Sequence, residues 1–424
     1  MTRTTIAEIH GRRVWDSRGR PTVEAEIRLE GGGTGRAIAP AGASTGSGEA
    51  LDRRDGGTGF GGHDVRGAVD AVNGEIAKAL HSFDAADQAG LDQALIGLDG
   101  TANKARLGGN ATIAVSMAAA QAAAAAAGLP LWRHLGGDDA VLLPLPEIQI
   151  FGGGAHAGRR LDLQDFMVVC PGAGSFAEAL DWTAEVYRAA GLLMAEAGKL
   201  YGVADEGGFW PAFADSAEAL DMLVRAIEKA GRRPGDEVAI GLDVAASEFG
   251  RAGRYRFEGR DLETGGMVEL VAGWTRRWPI LSVEDPVAED DAAGFQAITA
   301  AIGDRVQIVG DDFLVTDAAR VREAAATRAC TTVLIKPNQR GTLTETRAAW
   351  DAAKAAGLTG IVSARSGESE DTTIVDLVVG WGVGQLKVGS FARSERMAKW
   401  NAALRIEEAL GARARFAGRS TLRG

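Results

Sequence analysis

The chain has 424 residues, with 46 Lys and Arg against 57 Asp and Glu, a net charge of −11 and 58 glycines. That length exceeds what one compact core organises and suits a barrel with a smaller domain beside it. The acidic balance, with no block of Lys or Arg, argues against nucleic acid as a partner, so an anionic substrate must be held by local charges.

The first twenty residues, MTRTTIAEIHGRRVWDSRGR, are charged throughout and lack the apolar core of a signal peptide, which reads as cytoplasmic. Alternation in TVEAEIRL and RAIAPAG predicts antiparallel strands, and Ala-rich helical patterns follow at 66–82 and 111–127. Strands followed by helices predict an α+β cap domain over residues 1–137. The 111–127 stretch is apolar, but Thr112, Ser116 and Gln121 interrupt it, so it predicts a packed soluble helix and no membrane association. Gly-rich stretches at 31–35, 42–48, 56–62 and 152–154 predict loops, and one is a candidate lid, because glycine lets a backbone hinge and approach a ligand closely. GTGFGG at 57–62 is not a nucleotide fingerprint: it neither follows a clear strand nor opens a helix. HLGGDDAVLLPLP predicts the crossing into a second domain, 138–424. Cys170 and Cys330 sit in apolar runs and read as two small hydrophobes rather than a disulfide.

The second domain carries a series of β-branched apolar runs, each stopping at a charged or small residue. They are VAIGLD ending at Asp243, PILSVED with Glu284, VQIVGDD with Asp311, TTVLIK ending at Lys336, GIVSARS with Arg365 and GQLKVGS with Lys387. Intervals of 22 to 41 residues leave room for one strand and one returning helix, the rhythm of a parallel α/β barrel. In such a barrel the C-terminal strand ends share one face, so three carboxylates and two lysines are predicted to converge. That set suits a metal ion and a weakly acidic carbon.

DSRGRPTVE (16–24), AGASTG (41–46), LDGTANKARLGGNA (98–111), HAG (156–158), DEGG (205–208), VEDP (283–286), LIKPNQRGT (334–342), ARSGESEDT (364–372) and GQLKVGSFARSER (384–396) follow one another over nearly the whole chain. In these motifs the sequence resembles the enolases. The resemblance implies an α/β fold, an enolase-type modified (β/α)8 barrel under an N-terminal α+β cap. It also implies a homodimer or homo-octamer and Mg²⁺-dependent dehydration of 2-phosphoglycerate to phosphoenolpyruvate. Asp243, Glu284 and Asp311 match the metal carboxylates, and hard oxygen ligands on successive strand ends suit Mg²⁺. Ser44 resembles the ligand of a second Mg²⁺ recruited with substrate. Lys336 matches the general base, and two nearby cations with partial burial would favour its neutral amine. Lys387 matches a substrate-carboxylate ligand, and Arg365 and Ser366 match the phosphate grip, where a forked guanidinium suits an oxyanion. Glu206 matches the acid that assists hydroxide departure, and His156 and Gln164 match substrate-pocket residues.

Departures from the family pattern fall on the leaving-group side. Ala364 stands where enolases carry histidine, and Asp165 stands where they carry glutamate. The second change retracts a candidate catalytic carboxylate by about one C–C bond, roughly 1.5 Å. Arg159 and Arg160 after HAG, Arg340 in PNQRGT and Trp210 after DEGGF also depart, and suggest specificity for a larger, more anionic substrate. The pattern resembles the carboxyphosphonoenolpyruvate synthase branch of the family, from phosphinate biosynthesis. That implies a small phospho- or phosphono-carboxylate substrate joined to a cytidine nucleotide conjugate of phosphonoformate. An ordinary enolase and a non-catalytic enolase-like scaffold are the alternatives. Keeping Lys336, Lys387 and three carboxylates at strand ends argues against the scaffold, which has no use for such costly charges.

Overall fold

The computed structural model describes residues 4–422. The cap begins with a three-stranded antiparallel sheet, Ile6–Trp15, Pro21–Leu29 and Thr34–Ile38. Its first strand escapes period-2 reading because the register shifts between Ile6 and Glu8, so Ile6 and Ile9 are both buried despite odd spacing. The Ala-rich segment forms the helix Gly109–Ala126, buried along nearly its whole length against that sheet. Small residues permit the contact: a Cβ at Gly35 would fall 2.1 Å from the Ala118 carbonyl oxygen. Among the described residues no single helix is long and apolar enough to cross a membrane.

Eight strands close a barrel in chain order: Leu145–Gly152, Asp165–Val169, Ala239–Asp243, Ile280–Glu284, Gln307–Gly310, Thr332–Ile335, Thr359–Ser363 and Gln385–Ser390. The predicted barrel is there, but it is not wholly parallel. Asp165–Val169 pairs antiparallel with both neighbours. The physical reason is the connection: residues 153–164 return as a loop without a crossover helix, and only an antiparallel strand can follow so directly. Two helices, Phe176–Glu196 and Ser216–Lys229, then lead to the third strand, and from there the parallel pattern runs unbroken.

The reversal decides which end of the second strand meets the mouth. Asp165, its first residue, lies in register with Asp243, the last residue of the third strand. A side chain at the beginning of one strand therefore joins those at the ends of the others. Both cysteines are buried and free.

Candidate active site

Most of the predicted residues meet in one cavity at this mouth. Its lining includes Ser44, His156, Gln164, Asp165, Glu206, Asp243, Asp311, Lys336, Ala364, Arg365, Ser366 and Lys387. Glu284 ends the strand beside Asp243 and lies in register with it. The Asp243, Glu284 and Asp311 carboxylates are all buried, the first two ending consecutive strands and Asp311 directly following the next.

Lysines sit among these acids. Lys387 Nζ donates to Asp243 and Glu284 at 2.8 Å each and lies 3.6 Å from Asp165. Lys336 Nζ donates to Asp311, whose other oxygen accepts from Gln339 at 2.9 Å. Burial alone would depress the Lys336 ammonium, but Asp311 overrides it and raises the group above its ordinary value. The neutral amine expected from neighbouring cations is therefore corrected: a touching carboxylate outweighs more distant positive charges. Burial likewise opposes the charge on Asp311, and Lys336 holds that carboxyl below its usual range. Glu284 is driven far the other way, first by burial and then by the repulsion of Asp243.

Glu284 Oε1, Gln164 Oε1 and Asp165 Oδ2 are buried without hydrogen-bond partners. Unsatisfied hard oxygens beside mutually repelling carboxylates are the donor set that a hard divalent cation neutralises. The residues present fit Mg²⁺.

At the mouth end of the reversed strand, Asp165 is not loose. Its Oδ1 accepts from Gln149 Nε2 and lies 3.1 Å from His156 Nδ1. His156 Nε2 is 3.7 Å from Glu206. Burial disfavours the imidazolium, but Glu206 and then Asp165 more than offset it and raise His156 to about 9. Asp165 is fully buried, yet His156 and Lys387 push its carboxyl well below the ordinary range. His156 thus joins two acids as a cation. Glu206 arrives on the loop between the two helices that follow the reversed strand. Ala364 contributes only a methyl group to the cavity wall.

The cap completes the enclosure. Arg365 donates from Nη1 to Glu49 at 2.9 Å and Asn338 at 3.0 Å, and from Nη2 to Glu49 at 3.1 Å and the Ser44 carbonyl at 2.9 Å. Burial opposes its charge, but Glu49 raises Arg365 above its already high value. The fork predicted to grip phosphate is filled by the Glu49 carboxylate, which directly follows the Gly-rich stretch 42–48. Arg18, also from the cap, donates to Ser366 Oγ at 3.2 Å. The Ser44 hydroxyl turns to Glu248, 2.9 Å away, and Arg159 donates to that same carboxylate at 2.6 Å.

Three predicted specificity residues lie elsewhere. Arg340 is engaged by Asp317 at 2.9 Å and Glu345 at 3.4 Å, beside the cap. Arg160 and Trp210 line a separate hollow with Lys199 and Tyr201. Sequence reading missed Glu49, Gln149, Glu248 and Gln339. Glu49 and Gln339 lie inside or beside the motifs, a usable signal; Gln149, which meets Asp165 on the adjacent barrel strand, and Glu248, whose partners Ser44 and Arg159 lie on loops distant in sequence, are outside them.

Residues 6–135 match the family model described as "Enolase, N-terminal domain", and residues 140–424 match "Enolase, C-terminal TIM barrel domain".

Proposed function

We propose, from the premise that this chain belongs to the enolase family, that it is a Mg²⁺-dependent enzyme that forms an enolate from a small phosphorylated carboxylate and has altered leaving-group chemistry. The observation that carries this reading is the single cavity that joins Lys336, Lys387 and the metal-type carboxylates to Arg365 and Ser366, with Ala364 in its lining.

Asp243, Glu284 and Asp311 would hold the ion, and Ser44 a second one. When bound, Mg²⁺ supplies electrostatic stabilisation to the charge that develops on an enolate. Lys336 Nζ is the proton acceptor. Asp311 stabilises its ammonium form, so drawing that carboxylate away lowers the pKa and lets Lys336 release a proton to solvent before the amine accepts one from the substrate. Lys387 orients the substrate carboxylate, and Arg365 with Ser366 receives the phosphate in place of Glu49. The His156, Asp165 and Glu206 group handles whatever leaves or adds at the far carbon.

The finer reading is a carboxyphosphonoenolpyruvate synthase-like reaction, joining nucleotide-activated phosphonoformate to an enolpyruvate or phosphoglycerate unit. Ala364 and the shortened Asp165 support it by removing groups that serve water departure. A second reading, ordinary enolase, is favoured by the His156–Glu206 contact, which keeps an acid at the leaving-group side.

Purified protein with 2-phosphoglycerate and Mg²⁺, followed by enolpyruvate absorbance with Lys336→Ala as control, separates the two. Turnover in the ordinary enzyme range, about 1 to 1000 per second, would make it a working enolase. Residual turnover with Mg²⁺-dependent binding of phosphoenolpyruvate would support the synthase reading. Absence of both would overturn enolate chemistry here.

A further inference from the structure

Below the cavity the barrel interior holds one more acid. Glu147 lies on the first barrel strand and is 1% exposed. Its register partner on the adjacent parallel strand is Lys387, and paired positions in a sheet project to the same face. Both side chains therefore enter the barrel side by side. The Lys387 ammonium rises from there to Asp243 and Glu284. Glu147 has a hydrogen bond with the Ser282 side chain, while its Oε1 has no partner. Burial, opposed by Lys387, pushes this carboxyl up to about 7.

Lys387 faces a conflict over its partners. The carboxylates that satisfy it at 2.8 Å are two of the three that would hold a divalent cation. Lys387 uses one oxygen of each, and a buried ammonium that must share its anions with a cation is stabilised by a further acid nearby. Asp165 is tied through Oδ1 to Gln149 and His156, and its free Oδ2, 3.6 Å from Lys387, offers the ammonium one acceptor from a strand that is not its neighbour. Glu147 is the acid on the neighbouring strand with an uncommitted oxygen.

We propose that Glu147 is a positioning residue for Lys387: it receives the ammonium when Asp243 and Glu284 engage a divalent cation, and so sets how tightly that cation is held. The inference rests on the metal-dependent reading above. It gives a carboxylate that touches neither substrate nor metal a defined part in loading the site.

The test is Mg²⁺ titration of the full chain without substrate, by calorimetry and thermal shift, on the parent, Glu147→Gln, Lys387→Gln and the double variant. Glu147→Gln keeps the side-chain shape and should weaken Mg²⁺ about tenfold. In the Lys387→Gln background the same change should alter Mg²⁺ affinity less than about twofold, because no ammonium needs a place to go. Glu147→Asp should recover part of the loss. Equal affinity in the parent and Glu147→Gln overturns the proposal. So does an equal loss in both backgrounds, which would be a general field or folding effect. If the parent shows no saturable Mg²⁺ uptake, the metal-dependent reading itself falls, and this inference with it.

Discussion

Asp165 is one methylene shorter than the glutamate that enolases carry, and Gln149 and His156 fix it where it stands. Reaching distance is therefore the open quantity, since a misplacement of about 1 Å costs on the order of 100-fold in rate. Ala364→His combined with Asp165→Glu should raise 2-phosphoglycerate dehydration by about that factor, read as enolpyruvate absorbance. A double variant no faster than its parent would show that the surrounding pocket, Gln149 included, has changed as well. His156 gives a second prediction. Its folded value, about 9, lies above the ordinary 6.5. Such a group adds stability that is complete below about pH 6.5 and is lost as pH rises through about 9. The gap corresponds to on the order of 3 kcal/mol. Urea unfolding near pH 6 and near pH 10 should show that loss in the parent and a flatter profile in His156→Gln.

Three mouth elements meet at Glu248: the cap loop through Ser44, the loop after the first barrel strand through Arg159, and the segment after the third strand that carries Glu248 itself. Ser44 is also held through its carbonyl by Arg365. Glu248→Ala removes the shared anchor, so amide hydrogen exchange in residues 42–48 should quicken, by about tenfold, while strand amides of the barrel stay unchanged. Unaltered exchange would mean that the Arg365 contact alone holds the loop. The elements themselves were unevenly legible in sequence. The runs ending at Asp243, Glu284 and Lys336 were readable because both faces of each strand are buried and a charge marks the end. The reversed direction of Asp165–Val169 was not, since five buried residues look alike whichever way the strand runs. Ile6–Trp15 was hidden by its register shift, and the Arg365–Glu49 pair by a separation of 316 residues.

At the scale of the molecule, cap and barrel are joined by buried polar contacts as well as apolar ones. Asp92 of the cap accepts from the Thr344 amide at 2.8 Å and its hydroxyl at 2.6 Å, and from Ser116 at 2.6 Å. Lys104 of the cap meets Glu345 of the barrel at 2.7 Å. A buried donor left without an acceptor costs about 1–3 kcal/mol, and of these donors the Thr344 amide is the one that cannot rotate towards another partner. Asp92→Ala should therefore lower stability by on the order of 2 kcal/mol while scanning calorimetry still records one transition. Two separated transitions in the parent would show that the domains fold independently.

The reversed second strand also bears on how such a protein can diversify. Asp165 and Glu206 are delivered by one hairpin-and-helix-pair segment, whereas Asp243, Glu284, Asp311 and both lysines come from the repeating strand–helix units after it. Substitutions confined to residues 153–210 can change the surroundings of His156, Asp165 and Glu206 while the strands that carry Asp243, Glu284, Asp311 and both lysines keep their own sequence. The mouth is thus divided between two stretches of backbone, a hairpin with its helix pair that carries His156, Asp165 and Glu206, and a run of strand–helix repeats that carries both lysines and Ala364.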